Sequence, residues 1–132
     1  MPPAKKLAIL IVEDDTFLAG IYANKFEREG FKVLLATDGE AGLKTAKKEI
    51  PDIILLDILL PKLDGFEVLE KVKADDATRG IPVILLTNLG QKEDVDKGLK
   101  LGAADYLIKA HFMPAETVEK VKKVLAATTR VT

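Results

Sequence analysis

Residues 52–65, DIILLDILLPKLDG, set four consecutive branched apolar residues, Ile53 to Leu56, directly before an aspartate, Asp57. A strand with one wet face alternates apolar and polar residues. An unbroken run suits a strand buried on both faces. Asp64 then opens a segment of helical period that carries Phe66, Leu69 and Val72 on one side. Similar runs recur on either side, at Leu7–Val12, Phe31–Ala36, Ile81–Leu86 and Asp105–Lys109. Pro82 stands at the start of its run, where a missing N–H is tolerated.

The intervening segments predict helices. The first sets Leu18, Ile21 and Phe26 inward, capped by Asp15 or Thr16 and ended by Gly30. The second starts near Asp38 with Leu43, Ala46 and Ile50 inward. The fourth runs from about Lys92 to Leu101 and stops at Gly102. The fifth opens at Pro114 and presents Val118, Val121 and Leu125. Alternating strands and helices imply an α/β fold with a parallel sheet and right-handed crossovers. At 132 residues a closed eight-fold barrel, which needs about twice that length, is excluded. The remaining arrangement is a doubly wound five-stranded sheet in the order 2-1-3-4-5, with ligands at the carboxyl ends of the strands. One domain over residues 1–132 is expected, its core about 6–125, with loose ends at Met1–Lys6 and Ala126–Thr132.

Composition removes several functions. The 48% hydrophobic and 31% charged residues argue against disorder. Lys and Arg number 20 against 21 Asp and Glu, a net charge of -1, so direct nucleic-acid or anionic-membrane binding is not expected. The absence of cysteine excludes thiolate catalysis and cysteine-ligated zinc. Leu7–Val12 is far short of the ~20 residues that span a bilayer, and no signal-peptide cleavage site follows it. A soluble cytoplasmic domain is expected.

The 2-1-3-4-5 order brings the ends of strands 1, 3, 4 and 5 together, and with them Glu13, Asp14, Asp15, Asp57, Thr87 and Lys109. Single acids at loop starts are commonly solvated caps, and Asp15 fits that role. Glu13, Asp14 and Asp57 crowded at one edge repel one another, and burial adds to the cost. A divalent cation resolves this, and Mg²⁺ suits it because it takes few carboxylates and keeps several waters. A carboxylate such as Asp57 can also act as a nucleophile and carry an aspartyl-phosphate. Phosphoryl transfer needs mainly positioning and charge neutralisation. Lys109 offers the ammonium and Thr87 a hydroxyl, although a plain Lys109–Asp57 ion pair would place the same residues together.

From about Lys6 to Leu125 the chain resembles a response-regulator receiver domain, a flavodoxin-like fold. The resemblance rests on ILIVEDD ending at Asp15, DGEAGLK from Asp38, DIILLDILLPKLDG around Asp57, VILLT ending at Thr87 and LGAADYLIK ending at Lys109. It implies a two-component phosphorelay protein in which a histidine kinase or phosphotransfer protein phosphorylates Asp57. It assigns Mg²⁺ to Glu13, Asp14, Asp57 and the backbone carbonyl of Leu59. It assigns Thr87 and Lys109 to the phosphoryl group, and Thr87 and Tyr106 to a switch acting on the face of helix 4, strand 5 and helix 5. Pro61, Asp64 and Gly65 match the turn after the phosphorylation site. Such a domain is an enzyme only in assisting its own phosphorylation and dephosphorylation.

Several residues depart from the family pattern. Ala110 follows Lys109 where proline is usual, so a trans peptide is expected there. Asn88 replaces a small residue and would crowd phosphate access, while Leu59 and Leu89 put apolar side chains beside the site. Two other classes share the topology. A haloacid-dehalogenase-type phosphohydrolase needs an acid where Leu59 stands. A flavin binder needs a phosphate loop where Glu13–Asp15 would repel phosphate. His111, the sole histidine, reads as a surface residue. Lys120, Lys122 and Lys123 read as a solvated, dipole-complementing helix end. The resemblance names no output partner.

Overall fold

The apolar runs form the strands; the three at 9–12, 53–56 and 83–86 are buried on both faces, while those at 32–36 and 105–108 are only partly buried. The computed structural model describes residues 6–88, 92–109 and 114–129. In chain order the elements are β1 (Ala8–Val12), α1 (Thr16–Arg28), β2 (Lys32–Ala36), α2 (Gly39–Glu49), β3 (Ile53–Asp57), α3 (Gly65–Ala74), β4 (Val83–Thr87), α4 (Lys92–Lys100), β5 (Asp105–Ile108) and α5 (Pro114–Thr129). The strands form one parallel sheet in the order β2-β1-β3-β4-β5, as expected.

Each inner strand feeds two cores, because its side chains point to opposite faces. Leu10, Val12, Ile54, Leu56, Val83 and Leu85 meet Ala46 of α2 and Phe66, Leu69 and Val72 of α3 on one side. Ile9, Ile11, Ile53, Leu55, Ile84 and Leu86 meet Tyr22 and Phe26 of α1 and Val118, Val121 and Leu125 of α5 on the other. The register aligns the strand ends. Val12 lies opposite Leu56, Asp57 opposite Leu86, and Thr87 opposite Ile108. Two further backbone bonds extend this edge, Glu13 N–H to the Ala36 carbonyl (3.0 Å) and Ile58 N–H to the Leu86 carbonyl (3.2 Å).

Four expectations need correction. On α1 the buried line is Ala19, Tyr22, Ala23 and Phe26, with Leu18 and Ile21 only half-buried. The helix is rolled so that its small residues approach the sheet. Ile50 is exposed. It caps α2 in the left-handed region (φ 44°), and Pro51 after it forbids another turn. Ala126–Thr129 belong to α5 rather than to a loose end. Lys120 is not a solvated helix-end residue either, whereas Lys122 stays exposed. Lys120 donates to the Tyr106 carbonyl (3.0 Å) and Lys122 to Glu29 on α1 (3.0 Å). Leu89, Ala110 and His111 lie outside the described residues.

The segment after β3 is held tightly. Asp64 and Glu67 form a reciprocal capping box on α3. Gly65 N–H donates to the Ile58 carbonyl at 2.8 Å. A Cβ on Gly65 would run into the Asp57 carbonyl, a backbone atom that cannot rotate away. Gly65→Ala should therefore lower stability by about 1–3 kcal/mol, read as a lower urea midpoint at constant slope. An unchanged midpoint would show that the turn yields without cost.

Candidate functional site

Glu13 follows β1, Asp57 ends β3 and Lys109 follows β5, so the sheet register alone sets their backbones at one edge. Glu13 is fully buried and Asp57 is 3% exposed, while Asp14 faces solvent. One carboxylate oxygen from each of the three lies within 4.8 Å of the others. Lys109 Nζ bridges the two buried acids, 2.7 Å from Asp57 Oδ2 and 2.8 Å from Glu13 Oε1.

Backbone donors hold the remaining oxygens. Leu59 N–H donates to Asp57 Oδ1 (3.2 Å) and Asp15 N–H to Glu13 Oε2 (3.1 Å). Asp15 itself caps α1 by accepting from Leu18 N–H at 3.1 Å. It serves the helix, as expected. Glu13 Oε1 has the lysine as an ion-pair neighbour but no aligned hydrogen bond. A buried, under-satisfied carboxylate oxygen beside two more carboxylates is a donor set that fits a hard divalent cation.

The electrostatics follow from this crowding. Burial pushes the Glu13 carboxyl up, Lys109 pulls it down, and Asp57 pushes it up again; the net direction is upward. Burial alone would lower Lys109, but the Asp57 and Glu13 carboxylates outweigh it and hold the ammonium above its usual range. Tyr22, buried beneath, has its phenol raised by burial and by the Glu13 and Asp57 charges, with an opposing hydrogen bond from Thr117.

Thr87 is 3% exposed and shares a small cavity with Asp57, Leu59, Asn88 and Asp94. Its hydroxyl lies 3.5 Å from the Asn88 carbonyl, a weak contact that leaves it available. Leu59 is 64% exposed, so its side chain stands outside the acidic cluster. Tyr106 is half-buried. It shares a groove of about 400 Å³ with Thr87, Val95, Leu99 and Ile108. The Lys120 ammonium sits 5.4 Å from its ring centroid and 3.4 Å from Asp105. Sequence reading missed two residues near these sites, Asp94 and Lys120. Each reads as an ordinary helix charge until the helix is docked.

Residues 9–122 match the response regulator receiver domain. The chain belongs to that family. It is 40% identical over 123 residues to the DNA-binding dual master transcriptional regulator RpaA of Synechocystis, covering 93% of this chain and 51% of that protein. The chain spans about half the length of the first curated relatives it matches. A response regulator structure from Chloroflexus aurantiacus matches with TM-score 0.87 and 35% identity, covering 92% and 99% of the two chains. The receiver domain of the Pseudomonas aeruginosa sensor histidine kinase PA1611, whose structure has magnesium coordinated in its active-site cleft, matches with TM-score 0.84 and 30% identity over 92% and 99%. This receiver thus carries, on the family fold, the acidic cluster typical of the family's phosphorylation site. Among the described residues no helix is long and apolar enough to cross a membrane.

The raised Glu13 carboxyl gives a stability prediction for the metal-free receiver. Its folded pKa lies above the usual 4.5. Its contribution is therefore full below that value and is lost as the pH rises through the folded pKa. Glu13→Gln cannot ionise. In chelator it should be more stable than the parent near pH 8, and the gap should close in acid. Urea midpoints across that range, with a gap that fails to narrow, would overturn the assignment.

Proposed function

We propose that this chain is a single phosphoacceptor receiver domain, residues 1–132, that takes a phosphoryl group on Asp57 from a histidine kinase or phosphotransfer protein. The observation that carries the reading is the Lys109 ammonium, 2.7 Å from Asp57 and 2.8 Å from Glu13. It neutralises the acceptor and leaves a cation where phosphoryl charge would develop. An Asp57 oxygen bonds to phosphorus as the donor's phosphorus–nitrogen bond breaks, and the imidazole departs with that electron pair. Lys109 then pairs with the phosphoryl oxygens, and the Thr87 hydroxyl donates to one of them. Glu13, Asp14, Asp57 and the Leu59 carbonyl would hold Mg²⁺, which supplies charge neutralisation when bound.

The same reading makes Thr87 and Tyr106 a switch. A hydroxyl drawn toward the phosphoryl group vacates space behind β4, and the shared groove gives Tyr106 room to follow. The face of α4, β5 and α5 then changes for a downstream partner. DNA contact is not assigned to this chain. Its net charge is -1, and Lys120 and Lys122 are engaged within the fold. Leu59, in place of an acid, disfavours the phosphohydrolase, and the acidic edge disfavours a flavin phosphate. Cytoplasmic placement is part of the proposal.

Asp57→Asn, nearly isosteric but a poor nucleophile, should gain no phosphoryl mass with acetyl phosphate and Mg²⁺ while folding as the parent does. Phosphate uptake by this variant would overturn the assignment. For the metal, Asp14→Ala should weaken Mg²⁺ binding markedly more than Asp15→Ala, because Asp15 is committed to α1. Calorimetric titration that finds equal affinities for Asp14→Ala and the parent would exclude Asp14 as a ligand.

A further inference from the structure

Asp94 stands on the first turn of α4, half-buried, and forms one wall of the cavity over Asp57. That cavity is about 80 Å³, room for a few waters. Its other side chains are poorly suited to activate water. Leu59 has no polar atom, the Asn88 amide cannot take up a proton at neutral pH, and Thr87 is directed to the phosphoryl group in the reading above. Among the described residues that line this cavity, Asp94 is, apart from Asp57 itself, the group able to accept a proton. Placement at a helix N-terminus does not account for this position on the cavity wall. Glu93 satisfies the helix dipole equally from the same turn, yet it is exposed and lines a separate groove with Lys97 and Leu101.

We propose that the Asp94 carboxylate orients and deprotonates the water that hydrolyses the phosphoryl group on Asp57, and so sets the lifetime of the phosphorylated state. The inference rests on the phosphoacceptor reading. In the step, the water oxygen bonds to phosphorus while the phosphorus–oxygen bond to Asp57 breaks. That electron pair returns to the Asp57 carboxylate. The water proton passes to Asp94 and on to solvent, leaving inorganic phosphate and the free receiver. The gain is positional: a water held by a fixed acceptor needs little reorganisation to attack.

The test uses the full chain, phosphorylated with acetyl phosphate and Mg²⁺ and freed of donor by rapid desalting. Loss of phosphoryl mass is followed by intact-protein mass spectrometry, and uptake is measured before desalting. Asp94→Asn should lose phosphate about a hundredfold more slowly, the low side of what a positioned base contributes, with uptake at the parental rate. Asp94→Glu keeps the base and should recover most of the parental decay. Glu93→Gln, which removes the same charge one residue away, should decay as the parent does. Equal decay in Asp94→Asn and the parent overturns the proposal. So does slower decay matched by faster uptake, or an equal effect from Glu93→Gln, because either pattern is charge repulsion rather than a base. A parent that gains no phosphate, or an Asp57→Asn variant that does, overturns the phosphoacceptor reading and this inference with it.

Discussion

Two carboxylates buried side by side are the constraint around which this receiver is built. Glu13 and Asp57 sit at the ends of adjacent strands with almost no exposure, and in that setting the Asp57 charge and burial both push the Glu13 carboxyl up. One ammonium, Lys109, reaches both. It arrives from β5, two strands beyond β3, so it is delivered only when the sheet is complete. Removing that one cation would leave two buried carboxylates uncompensated, which typically costs about 3–5 kcal/mol. The site and the fold are therefore coupled. The strand order is what brings the charges together, and the ion pairs in turn reward that order.

The lysine does not exhaust the acidic site. Glu13 Oε1 lacks an aligned hydrogen bond, and Asp14 adds a third carboxylate from the solvent side. This residual negative potential makes the edge receptive to a divalent cation and, once that charge is neutralised, to a phosphoryl group. Rigid elements hold the surroundings. The capping box at Asp64 and the close pass of Gly65 over the Asp57 carbonyl fix the loop after β3. Glu13 is tied by its own N–H to β2.

The opposite side of Asp57 is built more loosely. Among the residues of α4, Gly98 is the buried one, seated directly on Leu85, and Lys97 lies 4.4 Å from the Phe66 ring centroid. A helix held by few apolar contacts can shift at low cost. Both the cavity over Asp57 and the groove beside Tyr106 are walled by this helix. The same element therefore stands between the phosphorylation site and the α4, β5 and α5 surface.

Much of this was legible in the chain itself. Unbroken apolar runs such as Ile53–Leu56 determine strands buried on two faces, because no other placement hides them, and the intervening helical periods then leave a doubly wound parallel sheet as the economical topology. That topology alone put Glu13, Asp14, Asp57, Thr87 and Lys109 at one edge. Local signals also determined the caps at Asp15, Asp38 and Asp64, since each needs only the N–H groups of the next turn. The exact roll of α1 was decided by packing, which prefers the small Ala19 and Ala23 against the sheet over the larger Leu18 and Ile21. The fates of Lys120, turned onto Tyr106, and of Asp94, set on the wall of the cavity over Asp57, were likewise decided only by docking. Helical periodicity records which residues share a face. The neighbour that a charged side chain meets across a crossover is set by three-dimensional contact, and no local pattern encodes it.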